Sequence, residues 1–248
     1  MRRFEVAPTI RTDVFQDSPE SQLAITSFGP ERDDALATGV RAGYHLLRKQ
    51  VYVDEMQFLD GEAVACDGGE YDHDDRRSQH FAVLENQYDG QSAAVIASMR
   101  LIAKTKDSPA KLPVEEFAPS LFTEGDIPEN GVEVSRFITR HTDQSFRRFG
   151  RDVLFGGALA HIIGNDLQPT YALVEDSLEM HLRRIGVPVE RKGEYQWVEE
   201  YNSENAVIEI DTNLMAKRFG KHVLDRSAAL GGGIEFFTPN FEGERGSA

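Results

Sequence analysis

The order of elements in this sequence predicts an α/β fold: a mixed central sheet covered by helices, in three layers. Two observations carry that expectation. Stretches with period-two apolar alternation read as strands, and stretches with near-helical spacing read as helices. The two kinds occur in mixed order along the chain rather than in separate blocks, as a sheet covered by helices requires. The chain has 248 residues and no internal repeat. It is expected to form one domain over residues 31–228, with an extra N-terminal helical layer, an irregular polar arm over 1–30 and a flexible tail over 229–248.

From Asp33 to Val51 the apolar residues Ala37, Val40, Ala42, Leu46, Leu47 and Val51 recur at near-helical spacing, which predicts a helix. Residues 59–78 are rich in Asp, Glu and Gly and read as a loop. His80–Glu85 and Ala93–Ile102 read as strands separated by a turn near Asp89-Gly90. The next segment, 104–130, carries Pro109, Pro113, Pro119 and Pro128 and reads as a long connection, a length that suggests function. Gly131–Arg140 reads as a third strand and Arg148 to about Ile163 as a helix. Thr170–Glu175 reads as a short buried strand, followed by a helix over Ser177–Ile185 that stops at Gly186. Val187–Val198 and Ala206–Asp211 read as the last strands.

Composition narrows the function. The formal net charge is -15, which disfavours a nucleic-acid partner or adhesion to an anionic membrane. No apolar run approaches the length of a membrane helix, and the N-terminus lacks the apolar core of a signal peptide. Cys66 is the single cysteine, so no disulfide forms within the chain, and a cytoplasmic location is expected. His141 and Asp143 are too few for a metal site, and no His/Cys spacing suggests zinc. Cys66 has no nearby His to activate it, and His80 reads as a structural histidine. Gly231-Gly232-Gly233 lacks the lysine and the strand–helix frame of a phosphate loop.

Two segments carry candidate chemistry. In Val132-Glu133-Val134-Ser135-Arg136-Phe137, strand alternation puts Glu133 and Ser135 on one face and Val134 and Arg136 on the other. A bulge would bring Glu133 and Arg136 together; otherwise the pair reads as a surface salt bridge on an edge strand. In Arg147-Arg148-Phe149-Gly150-Arg151-Asp152, the glycine would let backbone approach a ligand at a helix start, and the arginines suit phosphate. An ordinary capped helix with exposed arginines is the plain alternative. The acyl-coenzyme-A loop of GNAT enzymes has the form Gln/Arg-x-x-Gly-x-Gly/Ala, but Asp152 stands where a small residue is usual. A basic patch for an acidic carrier protein survives that departure, with Lys217, Arg218 and Lys221 as a second cluster.

In order along the chain, Arg48, Tyr52, Phe58, Asp72, Arg100-Leu101, Glu133 and Arg136 resemble the motif set of the acyl-homoserine-lactone synthases (autoinducer synthases). That family carries an arginine and aromatics on an N-terminal helix and loop. An acidic E-x-D-x-x-D motif follows, then an Arg-Leu on one strand and E-x-S-R on the next. The resemblance covers roughly residues 45–140. Tyr52 and Phe58 stand where a phenylalanine and a tryptophan are usual. With Asp72 matched to the second family aspartate, Gly69 occupies the place of the first. The sister N-acyl-amino-acid synthases share the fold and use a different amine.

The resemblance implies a GNAT-like fold and transfer of a fatty acyl group from an acyl-carrier-protein or coenzyme-A thioester to the amine of S-adenosylmethionine, giving a quorum-sensing lactone. Both small molecules are substrates, and no cofactor is expected. Glu133 is the candidate general base, provided burial raises its pKa. Arg100 and Arg136 would position Glu133 and Asp72 or bind a substrate carboxylate. Backbone N–H groups near Met99-Arg100 would stabilise the oxyanion. Arg48, Tyr52, Phe58, Asp72, Met99, Ser135 and Phe137 are the substrate-binding candidates. Arg147, Arg148, Gly150 and Arg151 are the candidates for the carrier. Phe137, Phe155, Leu159, Ile162, Leu173 and Val174 are candidates for an acyl tunnel, with plain core as the alternative.

Overall fold

The computed structural model describes residues 23–29, 35–86, 93–104, 110–123 and 125–218. Eight strands form one sheet in the order β1-β2-β3-β4-β5-β8-β6, with β7 also pairing β8. They are β1 (Leu23–Phe28), β2 (Ser78–Asn86), β3 (Ala93–Ala103), β4 (Val132–Thr139), β5 (Thr170–Val174), β6 (Val189–Arg191), β7 (Gln196–Val198) and β8 (Ser203–Ile210). Every pairing is antiparallel except β4 with β5. The helices are α1 (Ala35–Arg48), α2 (Pro113–Phe117), α3 (Gln144–Gly164) and α4 (Asp176–Arg184). A further helical turn covers 212–218.

Apolar spacing decides which face each helix covers. Val40 and Tyr44 of α1 pack with Phe28, Ala82 and Leu84, and Leu47, one turn on from Tyr44, is also buried. α3 covers the opposite face: its Leu154, Ala158 and Ile162 meet Phe81, Val83, Met99, Leu101 and Val132. α4 joins that second layer through Leu182, beside Leu159, Ala172 and Ile208. The sheet therefore lies between two helical layers, as the mixed order of elements predicted.

Several boundaries differ from expectation, each for a local reason. Leu23–Phe28 is a strand paired with β2, not part of an irregular arm; its alternating apolar residues Leu23 and Ile25 pack on the α3 side. α1 stops at Arg48 and continues as a π-helical turn, Lys49–Glu55. α3 begins at Gln144 rather than Arg148, because Asp143 caps it by accepting the N–H of Ser145 at 2.6 Å. The long connection contains α2, which starts with proline at its first turn. The expected Val187–Val198 strand is two short ones. The turn at Asp89-Gly90, the segment 1–22 and the tail lie outside the described residues.

Candidate active site

β4 is a central strand, so its motif is not the surface pair of an edge strand. Its pairing with β3 shifts register. Ser98 faces Ile138 and Arg100 faces Ser135, so Arg136 and Phe137 together oppose Met99. This is a bulge, and Arg136 sits in the left-handed region with φ of 54°. Its effect is directional. Strict alternation would aim Arg136 with Val134 at the apolar face of α3. The bulge turns Arg136 to the face of Ser135 and returns Phe137 to the α3 side, where its ring stacks on Phe155 at 5.0 Å.

On the face Arg136 reaches, three arginines meet three carboxylates. Arg48 is fully buried. Its Nε donates to Glu70, and its two terminal nitrogens donate to Asp75 at 2.6 and 3.2 Å. Arg100 donates to Asp72, to Asp75 at 2.9 Å and to Ser135 Oγ at 3.0 Å. Arg136 donates to Asp72 at 2.8 Å and Glu70 at 3.1 Å. Burial opposes ionisation of Asp72, but Arg100 and Arg136 outweigh it and hold its carboxyl below the usual range. Asp75 behaves likewise: burial is overcome by Arg48 and Arg100, and its pKa falls far.

This arrangement corrects the reading of the acidic loop. Glu70-Tyr71-Asp72-His73-Asp74-Asp75 is itself a complete E-x-D-x-x-D, and all three of its motif carboxylates bind the arginines. The motif therefore runs from Glu70 to Asp75, three residues later than a match of Asp72 to its last aspartate implies, and Gly69 lies outside it. Glu70 and Asp75 were missed, although the spacing from Glu70 was legible. Asp72 also caps the 3-10 turn His73–Arg77, accepting from the N–H groups of Asp74 and Asp75. Two histidines hold the loop from behind. His45 Nδ1 donates to the Glu70 carbonyl at 2.8 Å, and His80 Nε2 donates to the Asp75 carbonyl at 3.2 Å. Burial pushes His45 down to about 4 and His80 to about 3, so both are neutral at pH 7.

Glu133 shares the face of Arg136 after the bulge, but the two do not pair. Glu133 is fully enclosed, and its Oε2 accepts the Val114 N–H at 2.9 Å at the start of α2. Burial raises its pKa to about 8, against the pull of the Val114 N–H and Arg100. Its carboxyl is thus held largely protonated at neutral pH.

A cavity of about 560 Å³ runs from this cluster through the sheet. Its opening follows from strand geometry. β4 and β5 pair only over Val132–Val134 with Thr170–Ala172, although both strands continue further. Beyond that short base, Ser135–Thr139 and Leu173–Val174 line opposite walls. All six acyl-tunnel candidates line it: Phe137, Phe155, Leu159, Ile162, Leu173 and Val174. So do Tyr52, Phe58, Met99, Glu133, Ser135 and Arg136. Tyr52 comes from the π-helical turn; its ring stacks with Phe58 at 6.4 Å, and its OH donates to the Phe137 carbonyl at 3.3 Å. Arg48, Arg100, Glu70, Asp72 and Asp75 stand behind the lining, and Arg136 connects them to it. Arg136 lies over the rings of Tyr52 and Tyr201, and its Nε has no hydrogen-bond partner among the described residues. Tyr201, Ser203 and Asn205 on the far wall carried no sequence signal.

The carrier-binding candidates divide. Arg147 and Arg148 are exposed at the start of α3. Arg151 pairs with Asp152 at 2.8 Å and lies near His181 of α4. Gly150 is not part of a ligand loop. It lies inside α3, where a Cβ would meet Ile96 at 3.6 Å and Val83 at 3.9 Å. The phosphate-cradle reading therefore fails there: the helix starts six residues earlier and is capped by a carboxylate. In the second basic cluster, Arg218 donates to the Gly186 carbonyl at 3.0 Å, and Lys221 lies outside the described residues. Among the described residues no His, Cys, Asp and Glu group could hold a metal ion, and no helix is long and apolar enough to cross a membrane.

Residues 47–149 match the family model described as an acetyltransferase (GNAT) domain. No curated protein matches the sequence. Among solved structures, the chain is similar to TofI in a ternary complex with an inhibitor and MTA, at 20% identity and a TM-score of 0.56, covering 77% of this chain and 91% of that one. It is similar to the AHL synthase LasI at 20% identity and a TM-score of 0.57, covering 77% and 90%. It is also similar to BjaI, a CoA-dependent acyl-homoserine lactone synthase solved with SAM and isopentyl-CoA, at 21% identity and a TM-score of 0.56, covering 78% and 88%. The chain thus has the GNAT-like fold that the acyl-homoserine-lactone synthases share.

Proposed function

We propose that this chain is an acyltransferase that moves a fatty acyl group from a thioester to the amine of S-adenosylmethionine, forming an N-acyl-homoserine lactone. One observation carries the reading: a cavity of about 560 Å³ joins an apolar chamber, roomy enough for an acyl chain, to a polar end holding Glu133 and Arg136. The amine must lose a proton before its lone pair can attack the thioester carbon. Glu133, with a pKa of about 8, accepts that proton directly or through a water. The oxyanion then collapses, expelling the thiol and leaving an amide. In a second step the substrate carboxylate displaces methylthioadenosine to close the lactone. Arg136, whose buried Nε has no other partner among the described residues, is the candidate to pair with that carboxylate, and the rings of Tyr52 and Tyr201 already hold its cation between them.

The intact Glu70-x-Asp72-x-x-Asp75 motif supports S-adenosylmethionine over a plain amino acid. Incubation with an acyl thioester and S-adenosylmethionine should release thiol and methylthioadenosine together. Thiol release with a free amino acid and no methylthioadenosine would assign the chain to N-acyl-amino-acid synthesis. Thioester binding with no thiol release from any acceptor would make it a non-catalytic acyl-binding module.

For the donor, acyl carrier protein suits the site better than coenzyme A. A pyrophosphate at the start of α3 would meet the Asp143 carboxylate, whereas Arg147 and Arg148 face solvent. The chain and an acidic carrier repel on net charge, so a local basic face must steer the encounter. Replacing Arg147, Arg148 and Arg151 with Ala should raise KM for carrier substrates about tenfold and flatten its salt dependence. A short carrier-free thioester should be affected less. Unchanged kinetics with the carrier would move docking elsewhere.

A further inference from the structure

The far end of the chamber carries a buried hydroxyl that the transfer reaction leaves without a task. Thr170 begins β5, in register with Val132 on one side and Ile210 on the other. It is 1% exposed and lines the cavity, yet its Oγ1 has no hydrogen-bond partner among the described residues. Strand alternation puts it on the face of Ala172 and Val174, whose neighbours Leu159, Leu182 and Met215 are apolar. A valine has the same shape and would fill this place without stranding a hydroxyl. Buried polar atoms of this kind call for a partner.

Its position says which part of a ligand would reach it. Thr170 sits at the closed base of the wedge between β4 and β5, while the polar end of the cavity lies at the bulge, Ser135–Phe137. Three to five strand residues separate the two, roughly 10–16 Å at about 3.3 Å per residue. An acyl chain with its thioester at the bulge would bring the end remote from the thioester to Thr170.

We propose that Thr170 is a specificity-determining residue, and that the preferred acyl group bears a hydrogen-bonding oxygen, as hydroxyl, keto or phenol, toward its remote end. This rests on the acyl-transfer reading for its biological meaning, but binding tests it separately. Free fatty acids and their ω-hydroxy counterparts, over a series of chain lengths, would compete with a fluorescent fatty-acid probe for the purified protein. At the length that spans the chamber, the ω-hydroxy acid should bind about tenfold more tightly than the plain acid. Thr170→Val should bring the two within about twofold of each other, and Thr170→Ser should restore the preference. The corresponding thioesters should follow the same order in kcat/KM. A preference for plain chains at every length overturns the proposal, as does a hydroxyl preference that survives in Thr170→Val or failure of either acid to displace the probe. If the acids bind as expected and no thioester turns over, the transferase reading fails and the Thr170 assignment stands.

Discussion

Glu133→Gln should lower turnover by about a hundredfold to ten-thousandfold, the usual worth of a general base, and should leave the fold intact. The substitution is nearly isosteric, and a glutamine Oε1 can still accept the Val114 N–H that anchors α2. What it removes is the ability to take a proton. Because burial raises Glu133 to about 8, the wild-type kcat/KM should climb with pH through that value and level above it. The variant should lose this limb. Stability should move the opposite way. In the unfolded chain the carboxyl ionises near its ordinary value, whereas the folded state holds the proton up to about 8. The unfolded state therefore binds fewer protons across that window, and stability falls as pH rises from the ordinary carboxylate range to about 8. Glutamine removes the titration, so at pH 9 the variant should resist urea better than wild type, by on the order of a kcal/mol or more. Activity within about threefold of wild type would exclude Glu133 as the base. A loss of activity without loss of the pH limb would make it only the anchor of α2.

The layered α/β architecture was legible because it rests on local periodicity. Leu154, Ala158 and Ile162 mark the buried side of α3, and the apolar run of Thr170–Val174 marks β5. The start of α3 is also local: Asp143 accepts the Ser145 N–H as an N-cap, one turn before the arginines from which the spacing predicts the helix. Arg136 shows a different limit. Its type and spacing pointed to function, but its face depends on a register shift against β3, which no property of β4 alone reveals. The acidic loop is legible in sequence once the motif is counted from Glu70, which recovers the three carboxylates that meet Arg48, Arg100 and Arg136. Tyr201, Asn205 and the unpartnered hydroxyl of Thr170 were invisible for a plainer reason. They become site residues only because β4 and β5 splay and let β8 and α4 wall the gap. That is tertiary geometry, and a single sequence carries no trace of it.

Arg48→Met should destabilise the fold by about 3–5 kcal/mol at pH 7, the cost of removing one partner from a buried ion cluster. Arg48 is at the centre of that cluster: it pairs with Glu70 and twice with Asp75, and its guanidinium lies 5.4 Å from the Tyr44 ring centroid. Methionine fills the space but leaves both carboxylates with less compensation. Asp75 keeps Arg100 at 2.9 Å and Glu70 keeps Arg136 at 3.1 Å, so the cluster is weakened rather than dismantled. For a domain of this size the loss corresponds to a melting temperature lower by roughly 10 °C. The pH dependence identifies the cause. Asp75 is depressed well below its ordinary value in the wild type, so its contribution is present above the unfolded pKa and is lost as pH falls through the folded one. With Arg48 gone, Asp75 protonates more readily than in the wild type, and the gap between variant and wild type should narrow as pH falls through and below the ordinary carboxylate range. Arg48→Lys should fall between the two, since an ammonium restores charge but not the paired donors that Asp75 receives. A double variant, Arg48→Met with Glu70→Gln, should recover part of the loss by removing one uncompensated charge. A deficit that stays constant with pH, unrelieved by Glu70→Gln, would trace the damage to packing beside Tyr44 instead of to charge.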